Sequence, residues 1–306
     1  MNTKDKALQL SFNKSKETTR YYTKSFYFSS FFLPKDKRYA AYSVYDFCRY
    51  SDNIMDSSNL SSTEKSKKIL ELRQIIDKIY NGDLEKDDRF YSLSYVVNYY
   101  NIPNKYFYDL LIGLEFDNTK VSFETFSELR KYCYHVASIV GLIMTHIFGI
   151  TSIEALKYAE SLGIAMQLTN ILRDIKEDTE MDRYYLPAED LKRFNYSKEE
   201  LKNKIINNNF INLMKFQIER ARSFYQDGLN GFPYLTNDGS RSTVIIMAKT
   251  YSAILNKIEK ANYNVFSKRI YLSTFEKIFY SMNYFIRAAF SKNNNIISNN
   301  KILEEI

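Results

Sequence analysis

The sequence is poor in the residues on which several common types of site depend. Its 306 residues include two cysteines, two histidines, eight glycines, four prolines and no tryptophan. Two cysteines, Cys48 and Cys133, are too few for a disulfide scaffold, so we predict that both are buried thiols in a reducing compartment. With His135 and His146 as the only histidines, a histidine metal site or a Ser/His/Asp group has no support. The chemistry is left to carboxylates, amides, arginines and tyrosines.

The scarcity of glycine and proline, together with little β-like alternation, predicts a chain dominated by helices. The four prolines fall between periodic segments, where helices are expected to begin or end: Pro34, Pro103, Pro187 and Pro233. No linker-like composition and no repeat is visible. We therefore predict one all-α domain over residues 1–306, in which the asparagine-rich stretch 292–306 is a mobile tail.

No segment has the length and apolar character of a membrane span. The most apolar run, 136–150, contains Ser138, Thr145 and His146 and is too short to cross a bilayer. The first twenty residues lack the apolar core of a secretory signal, so we expect a cytoplasmic protein. The net charge of +7 comes from scattered lysines without a nucleic-acid-binding motif. We therefore expect no nucleic acid partner and leave open peripheral contact with a membrane surface.

The most informative stretch is 162–187, LGIAMQLTNILRDIKEDTEMDRYYLP. On a helix, Gln167, Asn170, Asp174 and Asp178 recur at i, i+3, i+7 and i+11 and share one face, while the other positions are mostly apolar. Buried polar groups are costly unless something satisfies them, and this oxygen-rich face suits a hard cation such as Mg²⁺. A solvated charged face is the alternative that one such pair of carboxylates leaves open.

Another stripe of the same kind lies upstream, in AYSVYDFCRYSDNIMD. By their order in the chain, it is called the first aspartate stripe and the stripe at 167–178 the second. Tyr45, Arg49, Asp52 and Asp56 follow one another at i, i+4, i+7 and i+11, again on one helical face. Arginines accompany both acidic stripes, and planar guanidinium groups bind phosphate oxygens in pairs. The two stripes together predict a chamber that holds Mg²⁺ and phosphate groups.

These stretches carry a resemblance to a known family. QLTNILRDIKED followed by RYYLP, and YDFCRYSDNIMD, are similar to the two aspartate-rich motifs of the squalene/phytoene synthase family. YCYHVASIVG at 132–141 is a third match, and KSF at 24–26 and the region of Arg269 are weaker ones. The resemblance implies a helical bundle of the isoprenoid synthase type with a central active-site cavity.

The resemblance also implies roles for individual side chains. Five oxygen ligands would hold Mg²⁺: Asp52, Asp56, Asn170, Asp174 and Asp178. Tyrosines and arginines at the reacting groups would be catalytic: Tyr45, Arg49, Tyr132, Arg173, Arg183 and Tyr185. Further residues would bind the diphosphate or line the hydrocarbon tunnel: Lys24, Ser25, Phe26, Val136, Gly141, Gln167 and Arg269. Asn53, Ser138 and the Met181–Asp182 pair depart from the residues common in the family, which bears on substrate fit more than on catalysis.

The implied reaction is a head-to-head condensation of two prenyl diphosphates through a cyclopropylcarbinyl diphosphate. We favour phytoene from two geranylgeranyl diphosphates, with squalene or dehydrosqualene from farnesyl diphosphate as the alternative. NADPH would be needed only if the product is squalene. A noncatalytic binding or assembly relative and a terpene cyclase are the competing readings, and the oligomeric state stays open.

Overall fold

The computed structural model describes residues 3–117, 122–273, 275–280 and 282. Within these ranges the chain is a bundle of α-helices with no strand beyond two isolated bridges, Ser122 with Tyr184 and Ile150 with Leu235. The predicted fold class, an all-α bundle, is therefore confirmed. The helices are α1 (Thr3–Tyr22), α2 (Lys24–Ser29), α3 (Lys35–Asp56), α4 (Ser62–Asn81), α5 (Tyr91–Tyr99), α6 (Asn104–Asp117), α7 (Phe126–Cys133), α8 (Ile139–Phe148), α9 (Ala155–Arg173), α10 (Ile175–Glu180), α11 (Ala188–Arg193), α12 (Lys198–Lys202), α13 (Asn208–Leu229) and α14 (Ser240–Lys260).

Local sequence signals set several helix ends. Pro34 and Pro187 immediately precede α3 and α11, where a residue without an N–H costs no helical hydrogen bond. Ser197 and Glu200 form the capping box expected from their spacing. At α4 the cap is Ser61, which forms a second capping box with Glu64.

The helical segment that carries the third motif is divided by a π-helical turn at Tyr134–Ser138. Ser138 Oγ donates a hydrogen bond to the Glu160 carbonyl at 2.7 Å, which ties the turn to α9. Gly163 of α9 lies so close that a Cβ there would be 2.5 Å from Ser138 Cα. An extra residue in one helical turn leaves the apolar pattern almost unchanged, so periodicity could not reveal it.

The second aspartate stripe is also divided. α9 ends at Arg173 and α10 begins at Ile175, with Asp174 between them at φ −103° and ψ 16°. The prediction that Gln167 to Asp178 follow one uninterrupted helix was therefore wrong beyond Arg173. Backbone hydrogen bonds still cross the break, from Asp174 N to Asn170 O and from Asp178 N to Asp174 O, both 2.9 Å. Asp174 is thus placed at a bend.

One hydrophobic core runs through the described helices, and α9 lies at its centre. α9 packs against α8, α13, α14 and the π-helical turn, while α3 packs against α1 and α5. Cys48 and Cys133 are buried and unbridged, as expected. No described helix is long and apolar enough to cross a membrane. The tail predicted at 292–306 lies outside the described residues.

Candidate active site

A cavity of ≈ 280 Å³ lies between α8, α9 and α14. Most of the side chains in its walls are apolar or small. Few of them carry a nucleophilic group that could react with a carbocation as water does. The lining includes Val136, Ala137, Val140, Gly141, Met144, Phe148, Ala155, Ala159, Leu162, Gly163, Met166, Phe232, Leu235, Val244 and Met247. Hydroxyl and amide groups belong to Thr23, Tyr45, Thr145, Tyr158, Gln167, Asn170 and Tyr251.

The cavity is elongated along α9. Lining residues on that helix run from Ala155 to Asn170, a span of about 22 Å at 1.5 Å per residue. α8 runs antiparallel beside it, because Gly141 faces Ala159 and Gly163 faces Ser138. Phe148, Phe232 and Leu235 form the wall at the end near Ala155, together with Thr145 and Tyr158. The amides of Gln167 and Asn170 lie at the other end.

Asn170 presents an unused oxygen at the polar end. Its Nδ2 donates a hydrogen bond to Gln167 Oε1 at 3.3 Å. Its Oδ1 is buried and has no hydrogen-bond partner among the described residues. A buried acceptor without a partner costs free energy that a bound cation or donor would recover. A buried amide oxygen of this kind is suited to coordinate a metal ion.

Asp174 lies between two guanidinium groups. Arg173 Nε is 2.7 Å from Asp174 Oδ1, and Arg269 donates to both carboxylate oxygens at 2.8 and 3.0 Å. Burial by itself raises the pKa of Asp174, but the hydrogen bonds and positive charges of Arg173 and Arg269 outweigh it and lower that pKa. The carboxylate is therefore held ionised. Two predicted phosphate-binding arginines and one predicted metal ligand meet at this point.

The first aspartate stripe follows α3 to the same end of the cavity. Tyr45 lines the cavity, Asp52 is half-buried two turns further on, and Asp56 is exposed as the last residue of α3. The Arg49 guanidinium carbon is 4.5 Å from the centre of the Tyr22 ring, and Arg49 Nε is buried without a partner among the described residues. A buried N–H that lacks an acceptor fits a phosphate oxygen.

Tyr251 of α14 connects the two stripes, and sequence reasoning missed it. Burial raises the pKa of Tyr251, and its hydroxyl is within the electrostatic reach of Arg173, Asp174 and Arg269. Burial likewise raises the pKa of Tyr45, with a further contribution from Tyr251. Both hydroxyls therefore stay protonated as hydrogen-bond donors at neutral pH. The only available signal was a run of apolar positions along α14, which marks packing and not chemistry.

Tyr132 and Tyr185 form a second buried pair. Their hydroxyl oxygens are 3.3 Å apart and their ring centres 5.3 Å apart. Tyr185 also lies with Asp178 and Arg183 around a small cleft beneath α10, and the Arg183 backbone N–H donates to Asp178 O at 2.9 Å. Tyr132 comes from α7, so the fold brings together parts of the second and third motifs.

The remaining predicted residues divide into three groups. Phe26, Val136 and Gly141 line the cavity, as Gln167 does. Lys24 is exposed at the start of α2, and the side chain of Ser25 lies outside the described part of the structure.

Carboxylates alone do not form a metal cluster here. Within the described residues no group of three or more His, Cys, Asp or Glu side chains is close enough to hold an ion. Glu177, which sequence reasoning passed over, adds a buried Oε2 that has no partner among the described residues. Any cation at this end would therefore need oxygens from a ligand as well as from the protein.

Comparison with known proteins assigns the chain to a family. The model of the squalene/phytoene synthase family matches residues 19–276. The 15-cis-phytoene synthase of Synechocystis sp. is 34% identical over 277 residues, which cover 87% of this chain and 81% of that protein. The 15-cis-phytoene synthase of Synechococcus elongatus is 33% identical over 284 residues, which cover 89% and 91%.

The fold is shared with a solved member of the same group. A dehydrosqualene synthase crystallised with a ligand superposes with a TM-score of 0.85 at 29% sequence identity, over 93% of this chain and 99% of that one. The family match spans both aspartate stripes, the third motif and Arg269. The chain therefore belongs to the squalene/phytoene synthase family and is a prenyltransferase of that type.

Proposed function

We propose that the chain condenses two geranylgeranyl diphosphates head to head, with Mg²⁺, to give phytoene. One observation carries this proposal: residues of both aspartate stripes, Tyr45 in one and Gln167 and Asn170 in the other, line one end of a mostly apolar cavity whose other end is walled by Phe148, Phe232 and Leu235. The charged leaving group and the hydrocarbon chain of a prenyl diphosphate need these two environments. The similarity to two cyanobacterial phytoene synthases supports the same product.

Cavity length supports a twenty-carbon substrate. Three backbone bonds in an extended chain span roughly 3.5 Å, so the fifteen main-chain bonds of a geranylgeranyl group span about 18 Å and the eleven of a farnesyl group about 13 Å. The lining residues of α9, from Ala155 to Asn170, span about 22 Å of that helix. A geranylgeranyl chain leaves room for its diphosphate at the polar end, whereas a farnesyl chain leaves the far end empty.

Mg²⁺ fits the oxygen donors at the polar end. Asn170, whose Oδ1 lacks a partner among the described residues, would hold the ion with carboxylates of both stripes: Asp52, Asp56, Asp174 and Asp178. These oxygens would hold Mg²⁺, which would supply positive charge to neutralise the diphosphate leaving group. Few of these carboxylates are close to one another, which suits ions that share diphosphate oxygens and water.

The arginines bind the diphosphate in this proposal. Arg173 and Arg269 hold Asp174 ionised in the free protein and then turn their guanidinium N–H groups to phosphate oxygens. Arg49 offers an N–H without a partner among the described residues, and Arg183 and Lys24 add positive charge nearby. These groups lower the free energy of the departing diphosphate more than that of the bound substrate.

The tyrosines and the apolar walls control the carbocation. Tyr45 and Tyr251 line the cavity with ring faces and neutral hydroxyls, which stabilise positive charge without capturing it. We assign the same role to Tyr132 and Tyr185, a hydrogen-bonded pair outside the lining of this cavity. Two prenyl chains held side by side react in an effectively unimolecular step. The first ionisation releases diphosphate, and the double bond of the second chain attacks the cation and loses a proton to give the cyclopropylcarbinyl diphosphate. The second ionisation releases the other diphosphate and opens that ring. Loss of a proton then ends the sequence.

We infer that NADPH is not consumed. The curated relatives are named phytoene synthases, and proton loss needs no reductant. Farnesyl diphosphate as substrate, with dehydrosqualene as product, is the second candidate because the solved neighbour is a dehydrosqualene synthase. We also propose that residues 1–306 act as one domain and that the protein works in the cytoplasm.

Peripheral contact with a membrane is supported by the short helix 275–280. Phe275, Ile278, Phe279 and Met282 share one face by their spacing, and all four are exposed. The Lys277 amine lies near Lys24, which adds the positive charge that anionic lipid attracts. We expect cosedimentation with vesicles that contain anionic lipid, and its loss in a Phe275→Ser, Phe279→Ser variant. Equal sedimentation of the two proteins would contradict membrane contact through this helix.

Product analysis tests the proposed reaction. Purified protein is incubated with Mg²⁺ and either farnesyl or geranylgeranyl diphosphate, with and without NADPH. The extracted hydrocarbons are then identified by mass spectrometry. We expect a forty-carbon triene-centred hydrocarbon from geranylgeranyl diphosphate without NADPH. A thirty-carbon product alone would favour the second candidate. No product from a folded protein with either substrate would support the noncatalytic reading.

A further inference from the structure

An ion pair lies directly behind the closed end of the cavity. Lys37, in the first turn of α3, places its Nζ 2.6 Å from the carbonyl oxygen of Phe148 and 2.6 Å from Asp238 Oδ2. The same amine is 3.0 Å from Thr236 Oγ1 and 3.3 Å from Ser240 Oγ. Its side chain is 13% exposed. One ammonium group therefore joins three separate parts of the chain.

These parts carry the residues that close the cavity. Phe148 is the last residue of α8, and Leu235 precedes Thr236 in the loop before α14; both line the cavity. Thr236 N donates to Gly149 O at 3.1 Å, which fixes the loop against the end of α8. A shift of either backbone would move an apolar side chain into or out of the far end.

Gly149 shows how tightly this corner is built. Its φ is +78°, a left-handed conformation that ends α8. A Cβ at that position would lie 3.2 Å from Lys37 Nζ and 3.1 Å from Thr236 Cγ2. The amine thus fills the space behind the turn, and its loss leaves the Phe148 carbonyl without its charged donor.

Distance along α3 relates this corner to the reacting end. Lys37 and Asp52 are fifteen residues apart on one helix, about 22 Å. Ala155 and Asn170 are separated by the same length on α9. The ion pair and the aspartate stripes therefore stand at opposite ends of the space that a prenyl chain would occupy.

We infer that Lys37, paired with Asp238, is a positioning residue that fixes the depth of the cavity and so selects the length of the prenyl chain. This inference rests on the proposed function in one respect, that the cavity receives a prenyl chain. Lys37 touches no reacting atom, since it acts through the backbone of Phe148 and the loop 235–240. Its removal lets the closed end relax outward and admit a longer chain.

Competition between chain lengths tests the inference. Lys37→Met and Asp238→Asn are compared with the unchanged protein on twenty-carbon and twenty-five-carbon prenyl diphosphates, and the ratio of kcat/KM values is measured. We expect both variants to shift this ratio at least fivefold toward the longer substrate, mainly through KM. Lys37→Arg, which keeps a cation and its donors, should return the ratio to within twofold of the unchanged protein.

Lys35→Met is the matched control. It makes the same chemical change two residues earlier on α3, where the side chain is exposed. It should leave the ratio unchanged. If Lys37→Met does not fold, Thr236→Val removes one hydroxyl of the same corner at nearly constant volume and should shift the ratio in the same direction. An unchanged ratio in folded variants overturns the inference.

Binding measurements separate this inference from the proposed reaction. The unreactive S-thiolo diphosphate analogues of both chain lengths are titrated into each protein by calorimetry. If the unchanged protein makes no hydrocarbon, the reaction proposal fails, while a fivefold change in relative affinity in Lys37→Met still supports the role of Lys37. Equal relative affinities in all variants overturn that role whether or not turnover is seen.

Discussion

Arg269 donates two hydrogen bonds to Asp174, with Nε 2.8 Å from Oδ1 and Nη2 3.0 Å from Oδ2, across a separation of 95 residues. The pair joins the segment after α14 to the bend between α9 and α10. Arg269 is largely exposed, whereas Asp174 is mostly enclosed by protein. Arg269 lies at the rim of the site and binds Asp174 of the second aspartate stripe. It is therefore placed to exchange this carboxylate for a phosphate group of the substrate.

Replacement of Arg269 should damage catalysis more than folding. We expect Arg269→Lys to lower kcat/KM by about 100-fold, in the range seen when one preorganised donor to a developing charge is removed. The apparent Tm should change little, because Arg269 is largely exposed. Arg73→Lys, which alters another partly exposed arginine in an ion pair with Glu115, is the control. Equal activities of both variants would contradict a role in diphosphate binding.

Asn170 should govern the requirement for metal. Asn170→Ala removes the buried Oδ1 that lacks a partner among the described residues, so half-maximal activity should need about tenfold more Mg²⁺ or still higher concentrations. Chelation with EDTA should abolish turnover, and added Mg²⁺ should restore it. Activity that does not respond to EDTA would exclude the metal site.

Two glycines should respond differently to a methyl group. A Cβ at Gly163 would meet Ser138 Cα at 2.5 Å, whereas one at Gly141 would meet Ala159 O at 3.1 Å. Alanine gains about 1 kcal/mol over glycine in a helix interior. At Gly163 the clash with backbone should exceed that gain and destabilise the protein by about 1–3 kcal/mol. Denaturant unfolding should give Gly163→Ala a lower free energy of unfolding than Gly141→Ala. The reverse order would show that the π-helical turn shifts to accept the methyl group at little cost.

Asp238 should make the stability of the protein depend on pH in the acidic range. Burial alone would raise its pKa, but hydrogen bonds from Lys37 and Ser240 and the Lys37 charge prevail and lower it to about 2. A carboxyl with a lowered folded-state pKa stabilises the protein above its ordinary pKa near 4, and this contribution disappears as the pH falls toward 2. The Tm difference between the unchanged protein and Asp238→Asn should therefore shrink from about pH 5 to pH 2.

Asp87→Asn is the control for that pH series. Asp87 is exposed, so its replacement should leave the slope of Tm against pH close to that of the unchanged protein. If Asp238→Asn kept the same slope as well, the Lys37 pair would not be the source of the dependence.

The fold class and most helix positions could be predicted because they depend on local signals. Prolines, capping residues and the 3.6-residue apolar period mark α3, α4, α13 and α14 to within a few residues. The π-helical turn and the bend at Asp174 could not be predicted. Each depends on a contact with a distant segment, Gly163 against Ser138 in one case and Arg269 on Asp174 in the other.

The candidate site shows the same division. Residues within the two aspartate stripes could be proposed from the sequence because their helical spacing is itself the signal. Tyr251, Glu177 and Lys37 were missed, since each is a single polar residue whose meaning comes from what the fold sets beside it: the two stripes, the buried bend and the closed end of the cavity. No spacing in the sequence reports such contacts.

A competition between the two natural chain lengths tests the central claim most directly. Equimolar farnesyl and geranylgeranyl diphosphates are supplied together with Mg²⁺ and without NADPH, and the hydrocarbons are separated by mass. We expect the forty-carbon product of two geranylgeranyl groups to dominate, because the cavity is long enough for that chain. A mixture dominated by the thirty-carbon product, or no hydrocarbon at all from the folded protein, would contradict the account.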